Sequence, residues 1–440
     1  MSPFPRPVFS SRAAAVLSMI GVAVGLGNVW RFPYMMGQYG GSAFLCIYVA
    51  FVLLLAIPAL SAEWALGRAT RKGPIGALRE AFGPRFGTAA GGLLMLTVTI
   101  TVSYYLLVVG QVGFTAFMAV FRGFDAHGIA ALKAGLGNGP LQYGVGLGVL
   151  YAGLYVVHRG LRRGIEAASI LIVPLFGAVI VYLVFHALAL PGALEAMTAF
   201  LAPDFAALGA AEIFAAMGQA VFSIGLGGTL MLTYGSYLAD TERIPRNAVL
   251  TGLGDTSAAL LASLFLVPAM LVYGLDMSAG PGLLFDTLPE LFGRMPAGGL
   301  PGSAFLLALA LVAFLSAVAA LEVIVAGFAA TDLPGLRLTR GRIIAGLAVV
   351  ETALMLPSAL DPALIGRLDL IFGSGMQVLG SALAVLALTW GLGRETTLTQ
   401  IFGERRDRAC LLYVHWLRWA VPGVLLFVLL NYALTAMLGA

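Results

Sequence analysis

The sequence predicts an all-α membrane protein of about eleven transmembrane helices. Of its 440 residues 60% are hydrophobic and 10% charged, against about 25% charged in a soluble globular domain. Mean hydropathy is +0.96. Apolar runs long enough to cross a hydrocarbon core, about 20 residues each, fall near 13–36, 41–66, 88–121, 142–157, 165–187, 211–238, 247–275, 302–330, 342–357, 368–392 and 411–438. Basic residues crowd alternate loops: Arg6 and Arg12; Arg68, Arg71, Lys72, Arg79 and Arg85; Arg159, Arg162 and Arg163; Arg243 and Arg246; Arg337, Arg340 and Arg342; Arg394, Arg405, Arg406 and Arg408. The opposite loops hold little beyond Arg122, Lys133 and Arg294. Lys and Arg in short loops stay on the cytoplasmic side, so the N-terminus is expected inside and, with an odd number of spans, the C-terminus outside. Nothing in their scattered placement points to a nucleic-acid partner.

The first span carries Gly21-Val22-Ala23-Val24-Gly25-Leu26-Gly27-Asn28-Val29-Trp30-Arg31-Phe32-Pro33. Glycine weakens a helix interior by about 1 kcal/mol, and a charge near the bilayer centre costs at least about 2.5 to 3.5 kcal/mol. A simple anchor is not built this way, so the helix is expected to break here. The carbonyls and N–H groups a break releases at membrane depth must line a polar cavity or be covered by protein. Free carbonyls suit a hard cation, and the N-terminus of the outer half-helix suits a carboxylate.

A second interruption falls in the sixth span, Gln219-Ala220-Val221-Phe222-Ser223-Ile224-Gly225-Leu226-Gly227-Gly228-Thr229. Both interruptions contain Gly-Leu-Gly, and each opens a group of five spans. Five is odd, so the second group enters the membrane in the opposite sense to the first. Gly-interrupted helices at corresponding places in two halves point to an inverted-repeat transporter with its site at the midplane. The chain is therefore read as one domain, 1–440, with a first five-helix repeat at 12–188, an inverted second repeat at 211–392 and an additional helix at 411–438. The 5+5 repeat has discontinuous helices 1 and 6. Asp255 is an acid inside the seventh span, a functional residue by default, with helix capping at the span end as the competing role. Residues 276–301 read as an outer loop with a short helical hairpin able to act as a lid. Nothing in the spans pairs a nucleophile with a base, which sets an enzyme aside.

At Ala23 to Asn28, followed by Trp30-Arg31-Phe32-Pro33, the chain resembles the neurotransmitter:sodium symporter family, in particular its bacterial amino-acid transporters, which share the leucine-transporter fold. The likeness continues through Gly40 to Phe44, Glu63 to Arg68, Tyr104-Tyr105, Gly164-Ile165-Glu166 with Pro174, Pro203-Asp204-Phe205 and Thr233 to Tyr237. The resemblance implies a first sodium site made by the Ala23 carbonyl, Asn28, Ser223 and Asp255, completed by the substrate carboxylate, so that ion and amino acid each favour the other's binding. It implies a second sodium site from Gly21, Val24, Val312, Leu315 and Ser316. Leu315 stands where the family has an oxygen ligand, and sodium, like other hard cations, takes about six oxygens. At least one sodium is expected, and the second is left open.

The same resemblance places the substrate carboxylate on the Leu26 and Gly27 N–H groups and the Tyr105 hydroxyl, and its ammonium on carbonyls near Ala23, Phe222 and Ser223. The side-chain pocket is expected to be lined by Val22, Thr101, Tyr105, Phe222, Gly225, Gly228, Ser316 and Ala320. Gly25 stands where amine-carrying relatives have Asp, which favours an amino acid; Gly225 and Gly228 imply room for a bulky apolar or aromatic side chain. Arg31 and Asp369 form the expected outer gate above a Phe222–Tyr105 lid, with Gln219 holding Arg31. Arg6 and Phe9 resemble a cytoplasmic latch whose partner acid does not align; Asp332 is displaced by two positions. Gly164 and Pro174 match a family motif that lets the fifth span unwind, although Pro174 alone equally fits a static kink. The leading expectation is thus a sodium-coupled importer of a neutral amino acid in the bacterial inner membrane, working by alternating access. Proton coupling through Asp255 and a non-transporting amino-acid sensor remain the alternatives. The lipid bilayer and the amino acid are the expected partners.

Overall fold

A computed structural model describes residues 7–275, 282–329 and 339–438, with side chains through Asn431. Among the described residues every regular element is helical, and nine helices are long and apolar enough to cross a membrane, ten if one sharply bent pair counts as a single span. That pair is α1 (Arg12–Ala23) and α2 (Leu26–Gln38), whose axes meet at 69°. The others are α3 (Ser42–Thr70), α4 (Phe86–Arg122), α5 (Gly139–His158), α6 (Leu161–Leu188), α9 (Ile244–Val272), α10 (Gly299–Ala329), α11 (Arg340–Leu360), α12 (Ala363–Gly391) and α13 (Arg408–Leu438). Between α6 and α9 lie two short helices, α7 (Ala210–Ser223) and α8 (Leu230–Gly235), separated by non-helical backbone at 224–229. A helix advances about 1.5 Å per residue, so α4 and α10 project beyond an apolar layer of about 30 Å.

Local chemistry sets the ends. Ser11 caps α1 by accepting the Ala14 N–H at 3.1 Å, and Asn138 caps α5 through the Leu141 N–H. Such caps each stabilise a helix start by about 1 kcal/mol. The buried share of each apolar window sorts the helices into layers. It is 67% for α10, at the centre, and 33% for α5, α6, α11 and α13, which present most of their surface outward. Apolar side chains such as Tyr155, Leu171, Val349 and Leu412 are exposed on those outer faces, as a lipid-facing surface requires.

Close backbone approach fixes how the short α8 docks. A side chain on Gly67 of α3 would run into the Leu232 carbonyl of α8, and one on Gly235 of α8 would meet the Trp64 backbone of α3. Small residues at such crossings let two helices pack backbone to backbone. The expected helix to 238 in fact ends at Gly235, where the chain turns to reach α9. The loop before α10 holds one helical segment, Leu283–Arg294, where a short helical hairpin was expected; 276–281 lie outside the described residues.

Gly67→Ala is expected to destabilise the detergent-solubilised protein by about 1–3 kcal/mol through overpacking, read as a lowered melting temperature. Gly92→Ala, whose added methyl meets nothing within 4 Å, is expected to leave it unchanged or slightly raised.

Candidate functional site

The bend between α1 and α2 is made by Val24 and Gly25, both in extended conformations (φ −69°, ψ 121° and φ −154°, ψ −160°). Asn28 closes it. Its Oδ1 accepts the Gly25 N–H at 2.9 Å, while its Nδ2 donates to Asp255 Oδ1 at 2.7 Å and lies 3.1 Å from Ser223 Oγ. Ser223, the last residue of α7, donates from Oγ to Asp255 Oδ2 at 2.6 Å. Exposures are 2% for Asn28, 3% for Ser223 and 0% for Asp255. The side chains expected at the first ion site are thus brought together from three helices, bonded to one another. The NH2 of Asn28, not its oxygen, faces the acid. The three side chains thus satisfy one another, with the Gly25 N–H as a fourth partner. Ala23 lines the cavity beside this cluster.

That cavity, about 460 Å³, is walled by Val22, Ala23, Gly25, Leu26, Gly27, Thr101, Tyr105, Phe222, Ser223, Gly225, Ser316 and Ala320. A side chain at Gly25 would find only the Tyr105 hydroxyl within 4 Å, at 3.7 Å. Gly228 is a correction. It adopts φ +65°, and a Cβ there would strike the Gly380 carbonyl of α12; it serves close packing and is not among the lining residues. The room comes instead from Leu94, Thr97 and Val98 of α4, from Gly227 and Thr229, and from Gln377, which the sequence reading missed because hydropathy does not mark which face of a span meets a cavity. Glu63 of α3, fully buried, accepts the Gly227 N–H at 3.0 Å, and so satisfies part of the non-helical stretch. Its place in the motif Glu63 to Arg68 was the available signal.

The cavity continues past Trp30 and Gln111 to Leu284, Phe285, Pro362, Ile365 and Asp369. Across it Arg31 and Asp369 form no ion pair. The Arg31 guanidinium lies over the Phe222 ring, 4.8 Å from its centre, an arrangement worth about 0.5–2 kcal/mol, and Asp369 accepts the Tyr104 hydroxyl at 3.1 Å. Gln219 does not hold Arg31. Its amide is fully buried with neither Nε2 nor Oε1 bonded, because α7 turns this face into the protein.

At the opposite end Phe9 packs on Tyr234 and Tyr237, and its N–H donates to the Tyr237 carbonyl at 3.2 Å. Arg6 and Asp332 lie outside the described residues. The acid found there is Glu322, which accepts from the Tyr237 hydroxyl at 2.6 Å and from Arg340 at 2.5 Å. Arg340 was read for topology alone, so its pairing was missed. Gly164 lies in a π-helical turn, Leu161–Glu166, where a Cβ would strike the Val156 carbonyl. Helix continues through Pro174 to Leu188, so α6 is wound here. Around Gly21, where the second ion site was expected with Val24, Val312, Leu315 and Ser316, hydrocarbon crowds in: a Cβ on Gly21 would lie 3.2 Å from Val173 Cγ2 and 3.3 Å from Leu315 Cδ1, with Ser169 Oγ at 3.6 Å.

A bundle of membrane-crossing helices, one of them broken at a buried polar cluster beside a large apolar chamber, defines a membrane transport protein rather than an enzyme. Comparison with known proteins specifies which. Residues 6–127 and 122–438 match the model of the sodium:neurotransmitter symporter family. An uncharacterized sodium-dependent transporter of Bacillus subtilis (strain 168), YhdH, is 33% identical over 326 residues, 73% of this chain and 72% of that protein. Another from Methanocaldococcus jannaschii is 32% identical over 344 residues, 73% and 69% of the two chains. The crystal structure of MhsT in complex with L-phenylalanine superposes with a TM-score of 0.86 at 31% identity, covering 97% of this chain and 100% of that one. The chain belongs to the sodium:neurotransmitter symporter family, and it is a sodium-coupled, multi-pass membrane transporter with the leucine-transporter fold.

Asn28→Ala or Asp255→Ala is expected to abolish the sodium dependence of substrate binding, measured in sodium against choline buffer. Gly228→Ala is expected to lower stability without selecting between large and small substrates, since the added methyl meets backbone and not the chamber.

Proposed function

We propose that this protein imports a neutral amino acid with a bulky apolar or aromatic side chain, driven by sodium and working by alternating access. The observation that carries this reading is the contact between the Asn28–Ser223–Asp255 cluster and the chamber. A cation entering that cluster neutralises a fully buried acid and presents its open face to a substrate carboxylate. The carboxylate's other partners are the Leu26 and Gly27 N–H groups at the start of α2 and the Tyr105 hydroxyl; the ammonium takes carbonyls near Ala23, Phe222 and Ser223. With no side chain at Gly25, no acid competes for the ammonium, which favours an amino acid over an amine. The wide space beyond Gly225 and Thr101 favours a large side chain, and the relative crystallised with L-phenylalanine supports the same substrate class.

Finer features belong to the same proposal. α7 and α8 are two halves of one discontinuous sixth span, eleven spans arise from repeats at 12–188 and 211–392 plus a helix at 411–438, and the whole chain is one transporter domain. The N-terminus is cytoplasmic and the C-terminus external, in a bacterial inner membrane. The chamber then opens outward, with Arg31, Phe222, Tyr105 and Asp369 as the outer gate; Phe9 and Arg6 belong to the inner one, and Gly164 with Pro174 to the segment of α6 that unwinds when it opens. One sodium accompanies each substrate. The second site stays empty because Leu315 brings no oxygen to a hard cation, a reading supported by the crowding of Gly21 by Leu315 and Val173.

Purified protein in liposomes is expected to accumulate L-phenylalanine only under an inward sodium gradient. Accumulation under a proton gradient in sodium-free buffer, or saturable binding without accumulation, would replace this reading by proton coupling or by a sensor. Uptake against sodium concentration is expected to show a Hill coefficient of about 1, rising towards 2 in Leu315→Ser as an oxygen ligand returns.

A further inference from the structure

One buried acid takes no part in the site described above. Glu351 lies midway along α11, 0% exposed, and neither carboxyl oxygen has a hydrogen-bond partner. It stands on the buried stripe of its helix with Leu347, Met355 and Ser358, facing the interior shared with α4, α5 and α10. Every titratable or charged group on the elements packed there is spent elsewhere or sits at a helix end. On α5 the Tyr143 hydroxyl donates to the Thr352 carbonyl at 2.8 Å, the Tyr151 hydroxyl is 3.5 Å from Thr352 Oγ1, Tyr155 accepts from Arg159, and His158 ends the helix. On α4 Tyr104 bonds Asp369, Tyr105 lines the chamber and Arg122 ends the helix. Glu322 of α10 is held by Tyr237 and Arg340, Arg340 and Arg342 lie at the far start of α11, and Arg367 of α12 is exposed. An ionised carboxylate left in that setting would be an uncompensated charge, which a protein interior does not retain.

A second observation points the same way. Along the α5–α11 seam other buried polar atoms are also left without partners: Ser358 Oγ, on the same helix face as Glu351 seven residues on, and Gln142 Oε1. The seam is tight there, for a Cβ on Gly139 would lie 2.8 Å from the Ala359 carbonyl and one on Gly146 2.7 Å from Met355 Cε. Both lie between Glu351 and the end of the bundle that carries Asn138 and Asp361. We propose that Glu351 is a proton-binding site that must hold its proton for the conformation described here to form. It thereby makes transport sensitive to pH through a residue that touches neither ion nor substrate.

The test uses full-length protein in liposomes, treated with dicyclohexylcarbodiimide over a range from mildly acidic to alkaline pH. A protonated carboxyl adds its O–H across one C=N bond of the reagent, oxygen to carbon and proton to nitrogen, with no leaving group, and the adduct is located by mass spectrometry. In parallel, sodium-driven uptake of L-phenylalanine is followed with equal pH on both faces, for the wild type and for Glu351→Gln. The expected result is an adduct on Glu351 that fades as pH rises, and an alkaline limb in wild-type uptake, about tenfold per pH unit, that is missing from Glu351→Gln. No adduct on Glu351 in the wild type, or the same alkaline limb in both proteins, overturns the proposal. The labelling reads the native chain, so it stands whether or not the variant folds and whether or not L-phenylalanine is the substrate.

Discussion

A peptide group released inside a membrane must find a partner, and the Asn28 side chain is where this protein meets that demand. One face of the amide accepts the Gly25 N–H freed by the bend, and the other reaches Asp255 of α9 and Ser223 of α7. The bend in the first span and the joining of three helices are therefore one interaction. Glu63 does the corresponding work for the stretch after α7 by accepting the Gly227 N–H. In both places a polar side chain from the protein interior substitutes for the absent water. The cost of breaking a helix is offset by these buried hydrogen bonds.

Charge follows from that arrangement. Asp255 is enclosed by neutral donors, the Asn28 amide and the Ser223 hydroxyl, and under the proposed function a monovalent cation is what completes the cluster. Around Gly21 the space a side chain would take is bounded by methyl groups of Val173 and Leu315 and by the Ser169 hydroxyl.

The two ends of the bundle differ in kind. On the chamber side Arg31 rests on an aromatic ring and Asp369 on a tyrosine hydroxyl, so neither charge is committed to the other. On the far side Phe9, Tyr237, Glu322 and Arg340 form one packed and bonded network. Because Arg340 stays with Glu322, loss of the Tyr237 bond would leave no buried charge unpaired. The asymmetry between one loose end and one tied end describes a single state of a two-state machine.

How far the residue pattern alone reached can be judged at particular positions. The apolar spacing determined where the helices lie to within a few residues, and the crowding of Gly25, Gly27 and Asn28 marked the bend, because helix propensity and burial cost act locally. The same reasoning singled out Ser223 and Asp255, polar residues where lipid-facing ones would be expected. It misplaced Gly228, whose missing side chain makes room for the α12 backbone and not for a substrate, and it joined Gln219 to Arg31 although they are kept apart. It passed over Arg340 with Glu322, and it left Leu315 undecided. Each of those outcomes depends on which distant helix lies opposite, a matter of tertiary packing that neither hydropathy nor propensity encodes. The chain's own pattern therefore decided that there would be a broken, polar midpoint in a membrane bundle. Only the assembled helices decided which atoms face one another across it.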